Sequence, residues 1–323
     1  MKRVVGLVSI VLTFIACVGV TENASLNESI NVKQFNLEEI SAATMLPGNR
    51  LLLASDEGKI LLLEGAAERL KNNDFKPDSF KPITQAGLDD IEDIALTTDS
   101  EVYFITSHSR SRRGKNPDKR YKIAVLQLDG DGKPKEPIAL ESLKLKGLLS
   151  TTLKIAMERT PAQSGFNIEG AAWNNQGQLL LGLRSPTLTV ENIERQNKLY
   201  EDAIVLRIKN PKALFSSEQL QIEEQALDLE GKGIRAMHYD LERKGSWIIT
   251  GLSPDPNYDV QNDWALWFWD EKNPPKKMTE LGDAKKISYP EAICRVMIGN
   301  TAHLLIIEDS KESRFAIIPV PNS

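Results

Sequence analysis

The feature that most constrains this 323-residue chain is a repeat. A strand-like segment, a tight polar turn and a second, more apolar strand recur five times, over residues 40–55, 91–108, 168–184, 234–252 and 290–308. The turns are Pro47-Gly48-Asn49, Thr98-Asp99-Ser100, Asn174-Asn175-Gln176-Gly177, Glu242-Arg243-Lys244-Gly245 and Gly299-Asn300-Thr301. Each is rich in residues that interrupt strands and accept turn conformations. The second strands, such as Leu179-Leu180-Leu181-Gly182-Leu183, are unbroken apolar runs, the pattern of strands covered on both faces. A third strand follows every hairpin, at 59–63, 122–128, 203–208, 265–269 and 314–320. A weaker fourth is visible at 138–140, 222–227 and 277–281.

Four-stranded units spaced 50 to 80 residues apart predict an all-β fold, a β-propeller of five blades, with six as the alternative if an irregular blade escapes the count. The last unit runs out at Pro321 after three strands, and a strand-like segment at 30–35 precedes the first unit. Pairing the two closes the ring and leaves no open edge. Leu149, Thr152, Leu153, Ile155 and Ala156 have helical spacing, which predicts one short helix within 148–159, in a connection.

The expected organisation is a signal peptide at 1–16, a linker at 17–29 and a single propeller domain at 30–323. Lys2 and Arg3 precede an apolar run that ends at Ala16, which reads as a secretory signal too short to span a bilayer. Phe14-Ile15-Ala16-Cys17 resembles a bacterial lipobox with Cys17 as the lipidated residue; release without lipid is the alternative. The chain is then expected in the periplasm or held to the envelope by lipid, with no other membrane contact. Lys and Arg total 40 against 45 Asp and Glu, a net charge of −5, so no broad positive field exists to hold nucleic acid. Two cysteines exclude a disulfide scaffold, and three scattered histidines argue against a His-rich zinc site. Cys294, within Ala292-Ile293-Cys294, reads as a core residue.

The first strands share a signature. Glu92-Asp93-Ile94-Ala95, Glu169-Gly170-Ala171-Ala172 and Glu291-Ala292-Ile293 align, with Arg235-Ala236-Met237 and Ser41-Ala42-Ala43 in the remaining units. First strands of a propeller line its axis, so topology gathers Glu92, Glu169, Glu291 and Arg235 at one mouth, with His108 and Arg184 nearby. Converging carboxylates require compensation, from Arg235 or from a bound Ca²⁺ or Mg²⁺. Two readings stand side by side: a cation or substrate site on the axis, or glutamates that each accept backbone N–H bonds at their own blade junction.

Arg110, Arg112, Arg113, Lys115, Lys119 and Arg120 crowd one loop, either a solvated surface or an attractor of anions. Arg184 suits bidentate recognition of a carboxylate or phosphate. The sequence has no GxSxG, Ser-x-x-Lys, HExxH or GxGxxG, which disfavours a serine-triad hydrolase. Asp129-Gly130-Asp131-Gly132 reads as a turn, and Trp264, Trp267 and Trp269 as inter-blade packing.

The segments Ile91-Glu92-Asp93-Ile94-Ala95 with Ser107-His108-Ser109, Ile168-Glu169-Gly170-Ala171 with Gly182-Leu183-Arg184-Ser185-Pro186, and Gly233-Ile234-Arg235-Ala236-Met237 resemble a bacterial family of uncharacterised propeller proteins. That family is more distantly similar to esterase-like phytase domains. The resemblance covers most of the chain after about residue 35 and implies that Glu92, His108, Glu169, Arg184 and Arg235 are its important positions. Two functions are expected. One is an exported, metal-assisted hydrolase of phosphate or carboxylic esters. In it a cation on Glu92, Glu169 and Glu291 activates water, Arg184 and Arg235 bind a small anionic substrate, and His108 moves a proton. The other is a non-catalytic module that binds a ligand or an envelope protein.

Overall fold

The computed structural model describes residues 33–321 except 36, 84–86, 99, 144, 193–197, 252–262, 283–286 and 312. The expected signal peptide, Cys17 and the linker lie outside the described residues. After β1 (Lys33–Gln34) the chain forms four-stranded antiparallel sheets in sequence order. The first contains β2 (Ile40–Leu46), β3 (Arg50–Ser55), β4 (Ile60–Glu64) and β5 (Phe80–Ile83), with helix α1 (Ala66–Asn72) between the last two. The second contains β6 (Ile91–Leu96), β7 (Glu101–Thr106), β8 (Lys122–Leu128) and β9 (Pro134–Ser142). Helix α2 (Thr151–Ala156) follows, inside the connection where the helical spacing predicts it; Ser150 caps it by accepting the Leu153 N–H.

The third sheet is built from β10 (Asn167–Trp173), β11 (Leu179–Ser185), β13 (Lys198–Ile208) and β14 (Ile222–Leu227), with β12 (Leu188–Asn192) paired to the start of β13. The fourth contains β15 (Gly233–Asp240), β16 (Gly245–Gly251), β17 (Ala265–Trp269) and β18 (Lys276–Glu280). The fifth contains β19 (Pro290–Ile298), β20 (Thr301–Glu308) and β21 (Arg314–Pro319), and β1 supplies its outer strand by pairing with β21. The first strands touch in turn, β2 to β6 to β10 to β15 to β19 and back to β2. The fold is therefore a five-bladed β-propeller closed by its N-terminal strand.

The core is divided by this geometry. Buried apolar side chains form five clusters, one at each interface between neighbouring blades. Side chains alternate across a strand, so Leu51 and Leu53 of β3 face the fifth blade while Leu52 and Ala54 face the second. The same alternation sends Leu179, Leu181 and Leu183 of β11 toward the second blade and Leu180 toward the fourth. A strand with blades on both sides has no solvated face, which explains the unbroken apolar runs. Trp267 and Trp269 lie in the interface of the third and fourth blades and Trp264 in that of the fourth and fifth. α1 is a helix the repeat pattern does not contain; only Ala66 and Leu70 of it are buried.

Candidate functional site

All five first strands share one irregularity. Pairing steps from Ile40 to Ala42, Ile91 to Asp93, Ile168 to Gly170, Ile234 to Ala236 and Pro290 to Ala292 while the partner strand advances by one residue. Each is a β-bulge, and the residues left over are Ser41, Glu92, Glu169, Arg235 and Glu291. A bulge takes its extra residue out of the strand's alternation and re-aims the side chain. Because the bulge recurs at one register on the innermost strands, it delivers five side chains to one level of the axis. The partner strand of the third blade is bulged as well, at Arg184, since Asn167 pairs with Ser185 and Ile168 with Leu183.

Arg235 is the centre of what these bulges assemble. Its Nη1 lies 3.0 Å from Glu169 Oε2, and its Nη2 donates to Glu291 Oε1. The other oxygen of Glu169 accepts from Arg184 Nη1 and from Asn167 Nδ2, each at 2.7 Å. The guanidinium of Arg235 lies 5.4 Å from the ring centroid of Trp264, a cation–π contact. A side chain on Gly251 would place its Cβ 2.0 Å from that indole, so the glycine leaves the room the stack needs. Ser41, the uncharged member of the ring, donates to the Ile91 carbonyl of the next blade.

Carboxyls dominate the surroundings. Burial raises the pKa of Glu92 well above the ordinary carboxylate range, and Asp90, Glu169 and Glu291 push it in the same direction. Burial also takes Glu291 up to about 8, against the pull of Arg235 and with Asp309 adding to the rise. Asp56 is pushed up to about 6, chiefly by burial and then by Glu39. Asp90 is likewise raised by burial, although Ser107 and Arg120 oppose the shift. Burial is the largest cause at each of these acids, and repulsion between neighbouring carboxylates adds to it.

Just inside the ring, Asp93 has a different task. It is 1% exposed, and its Oδ2 accepts the N–H of Ala171 at 2.6 Å and of Met237 at 3.1 Å. It thereby fastens β6 to the first strands of the third and fourth blades across the axis. At the equivalent step the other blades carry Ala42, Gly170, Ala236 and Ala292, so only the second blade sends a polar group there.

The structure thus brings together Glu92, Glu169, Glu291, Arg235 and Arg184. His108 is not part of that assembly. It is 1% exposed, its Nδ1 is 2.8 Å from the Thr106 carbonyl oxygen, and its ring meets Tyr121 edge-on. Burial lowers its pKa to about 4, which favours the neutral ring. In the basic loop, Arg110 binds the Met157 carbonyl and Glu158, and Arg120 pairs with Asp89 and Asp90. Cys294 is fully buried and its thiol is pushed up by burial, as a core residue should be. Asp56, Asp90, Asp309, Asn167 and Trp264 are site residues the repeat alignment passes over, because they lie beside the aligned positions rather than on them.

The expected Ca²⁺ or Mg²⁺ on Glu92, Glu169 and Glu291 does not fit this arrangement. Glu169 and Glu291 are turned to Arg235, and no group of three acidic, histidine or cysteine side chains among the described residues is disposed to hold a metal. The compensation that converging carboxylates demand is a guanidinium. Arg184 and Arg235, expected to take an anionic substrate, are both engaged by Glu169.

The fold and the mouth define a class: a five-bladed propeller with an acid–arginine ring at the end of its axis. The chain belongs to the family described as a protein of unknown function, DUF3616, whose family model matches residues 131–315. No curated protein matches the chain. Among solved structures, it is similar to a structural genomics protein of unknown function from Bacteroides thetaiotaomicron, at 11% identity and a TM-score of 0.41, over 90% of this chain and 76% of that one. It is also similar to the RRP9 WD40 repeats, at 8% identity and a TM-score of 0.42, over 90% of this chain and 98% of that one. A putative oxidoreductase (glucose dehydrogenase) from Thermus thermophilus is similar at 8% identity and a TM-score of 0.36, over 90% of this chain and 100% of that one. Likenesses this slight say nothing about activity.

Proposed function

We propose that this chain is an exported propeller whose axial mouth binds a cationic group, an ammonium or guanidinium carried by a small molecule or by a protein side chain. One observation carries the reading: the carboxyls of Asp56, Asp90, Glu92 and Glu291 are all shifted upward around an arginine that two glutamates already share. Burial sets most of that shift, and an incoming cation relieves the share that comes from repulsion between the carboxyls. Tyr289, 51% exposed and packed against Trp264, adds an aromatic face of the kind that holds alkylammonium groups. Export rests on the basic start, the apolar run to Ala16 and Cys17, and the mass of the mature N-terminus reads it.

Binding of this kind has a definite pH sign. Glu291, near 8, and Asp56, near 6, must lose protons to receive a cation, so affinity rises with pH between about 6 and 8 and binding releases protons. Calorimetric titration with spermidine at low salt, in buffers of different ionisation enthalpy, measures both. Glu291→Gln is expected to weaken binding at least about tenfold, the value of one charge-assisted hydrogen bond. Absence of saturable binding, or an affinity flat in pH, counts against the reading. Calcium binding tighter than amine binding would return the metal to consideration.

A hydrolytic reading keeps one supporting observation: Glu92 lies on the axis, and burial raises its carboxyl well above the ordinary range, the direction a general acid needs. A panel of esters, lactones and phosphoesters tests it. Turnover that Glu92→Gln lowers about 100-fold or more supports an acid catalyst, and turnover indifferent to that change removes it.

A further inference from the structure

The opposite end of the axis is a second, separate pocket. The far ends of all five first strands surround a cavity of about 240 Å³, with Ile94, Trp173, Tyr239 and Met297 in its wall. That volume is below the range of most cofactor sites, which run roughly 300–1,000 Å³, so its occupant is small. Ala171 lines the cavity and gives its N–H to Asp93, so the carboxylate staple stands between this pocket and the acidic mouth. The wall is largely apolar. Leu241 and Met297 are 58% and 44% exposed at its rim, two of the few large apolar side chains left in water among the described residues.

The polar groups of the wall are nearly all paired. Asp240 is 1% exposed and accepts from the Trp247 indole at 3.1 Å and from Arg295 at 3.3 Å, while Arg295 also binds Glu242. Charge in the wall is therefore balanced, and a ligand need bring none. Two groups remain. The Nε of Arg295 is a buried donor without a partner. The ring of His238 lines the cavity and takes no hydrogen bond from the described residues; burial keeps it neutral, so one nitrogen donates and the other accepts.

We propose that this second mouth is a binding site for a small uncharged aromatic molecule bearing a hydroxyl, with the ring against Trp173 and Met297 and the hydroxyl on the ring of His238. A phenolic hydroxyl can donate to one nitrogen of the neutral imidazole or accept from the other, which suits a ring with no hydrogen bond from the described residues. The site is independent of the acidic mouth and does not rest on the function assigned to it.

Titration by NMR with 4-ethylphenol and with ethylbenzene, which lacks only the hydroxyl, tests the assignment. Saturable one-site binding of the phenol is expected, about fivefold tighter than the hydrocarbon, as one net hydrogen bond provides. His238→Phe should reduce that preference to less than about twofold while retaining the hydrocarbon. Thr98→Trp, at an exposed rim position, should fill the opening and cost both probes at least about tenfold. No saturable binding, undiminished binding by Thr98→Trp, or a hydroxyl preference that survives His238→Phe each overturns the proposal.

Discussion

Arg235→Met is expected to destabilise the protein by about 3–5 kcal/mol, the usual cost of stripping one partner from a buried ion network. The side chains of Arg235 and Glu169 are 3% and 4% exposed, so the glutamate has little water to turn to once the guanidinium is gone. Methionine fills much of the same length, which separates lost charge from lost packing. The deficit has a pH signature. Glu291 already titrates above its unfolded value, so the folded state holds more protons and its stability falls as pH rises from the ordinary carboxylate range through about 8. Removing the arginine raises the network's carboxyls further. The loss is therefore largest near pH 8 and narrows toward pH 5, where Glu291 is protonated in either protein. Adding Glu169→Gln and Glu291→Gln to Arg235→Met should recover most of the stability, because a wholly neutral cluster leaves no orphan charge. Urea denaturation at the two pH values measures each term. A loss below about 1 kcal/mol, independent of pH, would show that something other than Arg235 compensates the ring.

Phe35→Ala is expected to cost about 3–5 kcal/mol and to open the ring at its seam. Among the described residues, the closing strand β1 contributes two residue pairs, Lys33 with Phe315 and Gln34 with Arg314. That ladder is too short to hold a blade by itself. The clasp is aromatic: Phe35 is 2% exposed, stacks on Phe315 with centroids 4.2 Å apart, and meets Phe75 and Phe80 edge-on at 4.9 and 5.9 Å. These rings belong to the cluster joining the fifth blade to the first. Without Phe35 the outer edge of β21 is exposed, so faster limited proteolysis near residues 310–320 should accompany the stability loss. Cleavage and stability unchanged from the parent would mean that the seam is held elsewhere.

Much of the architecture was legible before any coordinates. Polar turns at regular intervals and apolar runs such as Leu51-Leu52-Leu53 and Leu179-Leu180-Leu181 report blades buried on both faces, because no other surface accepts such strands. The unfinished last unit and the strand before the first predict the closure that β1 and β21 make. Helix α1 escaped notice because Ala66 and Leu70, its buried residues, are too few to set a period.

The candidate site was partly legible. Alignment of the first strands brings out Glu92, Glu169, Arg235 and Glu291, since a bulge at one register leaves its residue at one place in each repeat. His108 follows the end of a second strand at the same face, yet its left-handed backbone, φ 55°, accompanies a ring packed on Tyr121 rather than turned to the axis. Asp93 looked like one more strand residue, and nothing local marks it as the group that ties three blades together.

What the chain dictated by itself is therefore the repeat, the order of its units, the seam and the aligned residues Glu92, Glu169, Arg235 and Glu291 at the axial mouth, because each follows from periodicity along the backbone. What only the folded molecule decided is the partnership among those residues: that Arg235 sits between Glu169 and Glu291, that Asp93 divides the axis, and that a largely apolar pocket lies on the other side. Those outcomes depend on where side chains from different blades point at close range. Residues separated by 50 or more positions settle that only once the ring has closed.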